Sequence, residues 1–388
     1  MELGNCIMKY IVLLIGRGRN YNNGRGTTDD RKGPALDVPV VQRYAGRFQP
    51  FAIGLVCCTI VQQAAAQDIN FSQFYELPLL RNPALAGNYK GDVRATSAFR
   101  SQWGSVSTPY QTVALGTEVK FGVAEFSNDY ISIGAQITND IAGDSRLGRT
   151  QFLPLLAYHK SVNEDRDAYL TAGFLGGMVQ QRFDPTKLSF DDQFVNGAYS
   201  PTNPTRQTFS NTNVTYWDAA AGLSYSSVLG YDTRYYVGAS YFHFTQPKVA
   251  FARTSDIRLN KKYVLNAGLS VATSEFDRLI LYADYFMQGG NRQGQGGALF
   301  KHDLLQEDED QSMGFSVGAF YRWNDAVVPV VKLDLYKLAI GLTYDVNVSK
   351  LRTASQFRGG FELTVSYKSF LNIRNSSAAK VRCPADFY

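Results

Sequence analysis

Three histidines, His159, His243 and His302, are the first place to look for metal or proton chemistry in this chain of 388 residues. None has a second histidine or a cysteine at the spacing that a metal site needs. Two acidic clusters, Asp191-Asp192 and Glu307-Asp308-Glu309-Asp310, offer carboxylates for calcium. Neither places alternating oxygen ligands around a glycine, so both read as solvated loops. Nothing local marks a nucleophile, and neither Gly16-Arg17-Gly18 nor the stretch from Gly289 to Gly297 has the lysine and helix of a phosphate loop. The sequence predicts no catalytic residue, no cofactor and no metal, and hence no enzyme.

The elements that would carry any site are strands. From Gly360 to Phe370, the side chains of Phe361, Leu363, Val365 and Tyr367 fall on one face of an extended chain, and those of Glu362, Thr364, Ser366 and Lys368 on the other. The same period-2 pattern returns in Val113, Leu115, Val119 and Phe121, in Ile131, Ile133, Ala135 and Ile137, in Trp217 to Tyr225, and in Leu265 to Val271. Fourteen strands are expected, at 92–101, 110–121, 129–138, 149–160, 168–181, 216–226, 233–244, 262–272, 277–288, 295–303, 312–322, 326–333, 336–345 and 360–370. Within these, Leu153-Pro154-Leu155-Leu156 is apolar on both faces, and Gly294 to Gly297 reads equally as loop. One greasy face and one wet face fit an antiparallel sheet. That is either a soluble sandwich with its core inside or a transmembrane barrel with lipid outside and a polar lumen.

Connection lengths favour the barrel. Links from odd to even strands include the long stretches 183–215, 245–261 and 347–359, whereas even-to-odd links such as 122–128, 161–167, 227–232 and 273–276 are short. Outer-membrane barrels sort their loops in this way, and closure removes the sheet edges. An even strand count puts both termini on the short-turn, periplasmic rim. Tyr130, Tyr169, Tyr263, Phe276 and Phe370, near strand ends, suit interfacial girdles against outer-membrane lipid. The inward residues are mostly Gly, Ser, Thr and Ala, with scattered Lys120, Lys337, Asp218, Asp284, Glu118 and Glu362. Such a lumen suits a channel, a plug or an inserted peptide.

Composition agrees, with 13% aromatic and 19% charged residues and 34 glycines. Most of the formal net charge of +5 comes from the first 66 residues, and the remainder is nearly neutral. No basic stripe remains to neutralise phosphates, so nucleic acid is not expected as a partner. Arg43 and Arg47 precede an apolar run from Phe51 to Val61 and then Gln62-Gln63-Ala64-Ala65-Ala66, the order of a secretory signal peptide. The expected organisation is an atypical leader over 1–42, either untranslated or disordered, and a signal peptide over 43–66 cleaved before Gln67. A periplasmic N-terminal segment over 67–91, a barrel over 92–370 and a periplasmic tail over 371–388 follow. Cys6, Cys57 and Cys58 fall in the leader, leaving Cys383 without an intrachain partner.

Several stretches resemble the PorP/SprF family of Bacteroidetes outer-membrane proteins. They are Phe71-Ser72-Gln73-Phe74-Tyr75, Asn82-Pro83-Ala84-Leu85-Ala86-Gly87, Phe99-Arg100-Ser101-Gln102-Trp103, Leu188 to Gln193, His243-Phe244-Thr245-Gln246-Pro247, Tyr344 to Leu351 and Cys383-Pro384. The resemblance implies a non-enzymatic barrel of the type IX secretion system, in some relatives of gliding motility. Its implied partners are secretion components or the C-terminal domain of a secreted adhesin. On that reading Asn82, Pro83 and Gly87 would meet machinery on the periplasmic side, and Asp191, Asp192, Tyr199 and Phe209 would meet an exported protein outside. A general porin or small-ligand transporter is the rival, with a soluble secreted sandwich third.

Overall fold

The computed structural model describes residues 68–371, apart from 105–107, 124–126, 165, 196, 208, 231, 253–255, 307–311 and 351. The expected leader and signal peptide, the acidic run from Glu307 to Asp310, Cys383 and the tail beyond 371 lie outside the described residues. Fourteen antiparallel strands close into a barrel. They are β1 (Val93–Gln102), β2 (Tyr110–Gly122), β3 (Tyr130–Ala142), β4 (Leu147–Asn163), β5 (Ala168–Arg182), β8 (Asn213–Leu229), β9 (Thr233–Phe242), β10 (Lys262–Ala272), β11 (Asp277–Gln288), β12 (Asn291–Gln306), β13 (Ser312–Arg322), β14 (Ala326–Leu335), β15 (Leu338–Asn347) and β16 (Arg358–Ser369). A two-stranded hairpin, β6 (Phe194–Val195) and β7 (Ala198–Tyr199), stands in the loop between β5 and β8. Each expected strand is present, and Gly294 to Gly297 belongs to β12. β16 closes onto β1 with Val93 opposite Ser369 and Gln102 opposite Gly360.

Alternation sets the inside and the outside. Phe361, Leu363, Val365 and Tyr367 are exposed on the outer wall, while Glu362, Thr364 and Ser366 are buried in the lumen. An apolar exterior around a polar interior is the inverse of a soluble sandwich and the arrangement lipid requires. Tyr263 stacks on Tyr241 on the outer wall (centroids 4.9 Å apart), as a girdle residue would. Tyr130 and Tyr169 do not fit that expectation. They face inward and are buried, Tyr130 stacking on His159 at 3.8 Å, because the parity of their strands points them at the lumen.

Connections sort onto two rims. On the proximal rim, where β1 begins and β16 ends, the described links include 123–129, 164–167, 230–232, 273–276 and 336–337. The distal rim carries the three long links, 183–212, 243–261 and 348–357, together with short ones such as 289–290. The expected periplasmic N-terminal segment is the main correction. Residues 68–91 do not lie outside the barrel but fill its lumen, running from the distal mouth at Asp68 to the proximal rim at Tyr89. Parity does put the start of β1 and the end of β16 on one rim. It says nothing of a segment that doubles back inside, so Asp68 and Leu371 sit at opposite rims.

Candidate functional site: the plugged lumen and the distal rim

The plug cannot be one helix or one strand, because Pro78 and Pro83 remove backbone donors and fix the local turn. It forms three single 3-10 turns, Phe74–Glu76, Pro78–Leu80 and Pro83–Leu85. Asn82 caps the third turn, accepting from the Ala84 N–H at 2.8 Å. Its amide also donates to the Leu223 and Ala239 carbonyls of β8 and β9, at 3.1 and 3.4 Å. Ser224 and Ser240 donate to the Ala84 and Arg81 carbonyls. Lower down, the Gly87 N–H donates to Glu118 (2.7 Å), and the Tyr89 hydroxyl to the carbonyls of Asp92 and Glu118. The wall is shaped for this foot. A Cβ at Gly222 would stand 1.9 Å from Asn82 Oδ1, and one at Gly173 would stand 2.4 Å from the Pro83 carbonyl carbon. The small inward residues read from the sequence are the plug's seat.

Apolar contacts complete the seal. Tyr75 stacks on Tyr282 and Phe320, with centroids 5.0 and 5.2 Å apart, and Phe74 meets Phe320 edge-on. Pairs of this kind add about 0.5–1.5 kcal/mol each beyond their burial. Leu79 packs with Leu153, Leu155 and Leu175. This accounts for the strand that is apolar on both faces, with lipid on one side and the plug on the other. The same holds for β14, whose Val328 and Val330 pack inward with Phe74 and Tyr75.

Buried charges are matched across the plug and wall. Arg81 holds Asp284 through two hydrogen bonds (2.7 and 2.5 Å), and Lys332 meets Glu76 at 2.5 Å. Arg100 bridges Asp345 and Glu362, and Glu362 also accepts the Ser72 and Gln73 N–H groups at 2.8 and 2.7 Å. Glu118 pairs with Arg94, and Lys120 donates to the Tyr89 carbonyl. At the distal mouth Asp68 meets Arg149 (2.8 Å), His243 (2.7 Å) and Lys262 (3.4 Å), while the other His243 nitrogen meets Asp218 at 2.6 Å. Burial alone would raise the Asp68 carboxyl, but the charges of His243, Lys262 and Arg149 hold it well below the usual range. Burial works against the charged imidazole as well, yet Asp68 and Asp218 raise His243 to about 9. Among the described residues no group of three or more His, Cys, Asp and Glu side chains is arranged to hold a metal ion.

The expected partner-binding residues fall into two groups. Asn82, Pro83 and Gly87 are buried in the plug's foot, out of reach of the periplasmic partner expected for them. Their spacing serves the turn and its seat. Asp191, Asp192, Tyr199 and Phe209 lie in the distal loop 183–212. Asp191 is exposed, whereas Asp192 accepts from Thr205 and from the Arg206 N–H (2.6 Å), which lower its carboxyl, and so it shapes the loop. Phe209 is half-buried against Phe183 and Phe190. Tyr199 is exposed beside Phe194 and Val195 at the hairpin tip. Sequence reading passed over Phe194 and Val195. The signal was Asn196-Gly197 between two short apolar pairs, a strong hairpin marker.

Fold and site together define an outer-membrane-type β-barrel closed by its own N-terminal segment. Residues 63–367 match the family described as type IX secretion system membrane protein PorP/SprF. The chain belongs to that family and is an outer-membrane protein of the type IX secretion system. Among solved structures it is similar to the CymD monoaromatic hydrocarbon channel (12% identity, TM-score 0.40, 80% of this chain and 95% of that one). It is also similar to BamA from Haemophilus ducreyi lacking POTRA domains 1-3 (9% identity, TM-score 0.33, 72% and 70%). At such scores these likenesses carry no argument about function. No curated protein matches the chain.

Proposed function

We propose that this protein is a docking barrel of the type IX system rather than a conduit. The observation that carries the reading is the lumen. Residues 68–91 fill it, Asp68, Glu76 and Arg81 are paired with the wall, and the foot is hydrogen-bonded to β8, β9 and β2. A solute-conducting porin needs that volume free. The three long connections and the exposed Phe194, Val195 and Tyr199 gather on the distal rim. On this reading that rim faces the exterior and binds a segment of an exported protein, such as the C-terminal domain of an adhesin that serves gliding. The proximal rim, with the 371–388 tail, faces the periplasm and the secretion machinery. Export by the 43–66 signal peptide, with cleavage before Gln67, would leave the mature N-terminus next to Asp68.

The test is a crosslinked pull-down of C-terminally tagged protein from its own outer membrane. Recovery of an exported protein or of type IX components, lost when residues 185–214 are replaced by a short linker, supports docking. A preparation without partners that conducts steadily in planar bilayers would sink it in favour of a porin.

A further inference from the structure

Two solvent-open cavities flank the head of the plug at the distal mouth. One lies toward β10–β12 and is lined by Asp68, Phe71, Leu80, Lys262, Phe286 and Arg292, among others. The other lies toward β4, β5 and β8, beside Arg149, Leu153, Asp218, Phe242 and His243. Asp68, Ile69 and Leu80 line both, so the head is a narrow strap with space on either side. Asp68, Ile69 and Asn70 are only partly buried, whereas Phe71 to Leu79 are fully so.

The strap is tied by one carboxylate in a cradle of three cations, and the wall holds two of them without it. Lys262 stands 5.4 Å from the centroids of both the Phe242 and Phe286 rings. His243 is fixed by Asp218, and Arg149 projects from β4. Both His243 nitrogens face carboxylate oxygens, so both carry hydrogen and the ring is charged. Arg149, His243 and Lys262 therefore face Asp68 and Asp218, leaving one positive charge in excess while Asp68 is bound and two if it leaves. A largely buried site does not tolerate that imbalance without an anion.

We propose that Arg149, His243 and Lys262 form a carboxylate-binding site at the distal mouth. Asp68 occupies it at rest, and an acidic side chain or C-terminal carboxylate of the docked protein segment displaces it, with its apolar neighbour in a flanking cavity. The inference rests on the reading of the distal rim as a docking surface. The apolar walls, Phe71, Leu80 and Phe286 on one side and Leu153, Leu175 and Phe242 on the other, suit a carboxylate carried beside an apolar group. The site lies inside the lumen, away from the lipid-facing wall, which favours a protein carboxylate over a lipid headgroup.

The experiment uses the mature barrel in detergent, with heat-modifiable mobility as the check on folding. Binding of N-acetylphenylalanine, of its uncharged amide and of inorganic phosphate is measured by calorimetry, and protection of residues 68–71 by hydrogen exchange. Asp68→Asn removes the internal competitor and should bind N-acetylphenylalanine about tenfold tighter than the unaltered chain, a change of about 1.4 kcal/mol. Adding Lys262→Gln should abolish the gain, and Asp68→Glu should restore the weak binding and the protection of the head. Equal binding of acid and amide, or no gain in Asp68→Asn, overturns the proposal, and a preference for phosphate overturns its assignment to a protein carboxylate. A pull-down that still loses its partner on replacement of residues 185–214 while these titrations stay flat removes the cradle and leaves docking standing. Positive titrations without a recovered partner do the reverse.

Discussion

From Asn82 to Asp92 the plug is held by amide and main-chain hydrogen bonds, in a seat whose glycines leave no spare room. At the other end Asp68 is held by charge between two open cavities, with Ile69 and Phe71 against a small apolar cluster. The difference lies in geometry. Hydrogen bonds to strand carbonyls fail when a donor shifts by an ångström, whereas a carboxylate among three cations can be exchanged for another carboxylate with little loss. The foot is built to stay and the head to be replaced. Between them Arg81 ties the plug to β11 and, through Tyr236, to β9.

Breaking that middle tie should have the largest effect. Arg81→Gln leaves Asp284 as a buried carboxylate without its ion-pair partner, and loss of one member of a buried pair costs about 3–5 kcal/mol. The expected result is a clear drop in the temperature at which the barrel loses its compact gel mobility. The double change Arg81→Met with Asp284→Leu should recover most of the drop, because it removes both charges. An unchanged transition in Arg81→Gln would mean that the plug adds nothing to the barrel's stability. Next comes the seat of the foot. Gly173→Val would press a side chain against the Pro83 and Ala84 backbone, which has no flexible end to swing aside. Overpacking of this kind costs about 1–3 kcal/mol. The plug should become open to protease within a folded barrel, and planar bilayers that are silent for the unaltered protein should conduct. Continued silence and protection would show that the foot can shift without unseating, and the contrast with the head would fail.

The wall was far more legible than its contents. Alternation in stretches such as Leu265 to Val271 reports two environments for each strand, and fourteen repeats of it with sorted loops describe a barrel without reference to any particular contact. The plug leaves no such trace, because 3-10 turns around Pro78 and Pro83 have no period and each of their residues meets a different strand. Its marks were indirect. Leu153-Pro154-Leu155-Leu156 was apolar on the luminal side for a reason that only Leu79 supplies, and the inward glycines were a footprint without a foot. The distal cradle draws Asp68, Arg149, His243 and Lys262 from far apart in the chain, so no local spacing could have announced it. Asn82 shows the same limit, since the cap on Ala84 is local and readable and the bonds to Leu223 and Ala239 are not. Asn82→Ala removes both kinds of contact. It should destabilise by about 1–2 kcal/mol, the range for a lost cap and a lost buried hydrogen bond. Faster hydrogen exchange of residues 82–89, with residues 68–71 unaffected, would place the loss in the foot, and equal acceleration at both ends would mean that the plug moves as one body.

The smallest expected effect comes from pH, and it acts on the head alone. His243 is raised from an ordinary value near 6.5 to about 9 by Asp68 and Asp218, with Arg149 and Lys262 also facing Asp68. A group whose folded value is raised stabilises fully below its unfolded value, and that contribution is lost as pH rises through the folded one. Between about pH 6.5 and pH 9 the tie at Asp68 should weaken, and above pH 9 it should rest on Arg149 and Lys262. Asp68 works in the opposite sense. Its value is depressed, so its contribution is present above about pH 3.9 and is lost as pH falls below that. Asp218 keeps part of the His243 shift when Asp68 leaves, so protection factors for residues 68–71, corrected for intrinsic exchange, should fall only about threefold to tenfold from pH 7 to pH 10 while those for residues 82–89 hold. The fall should vanish in His243→Gln. A fall that survives in His243→Gln, or one that extends to the foot, would mean that charge does not distinguish the two ends of the plug.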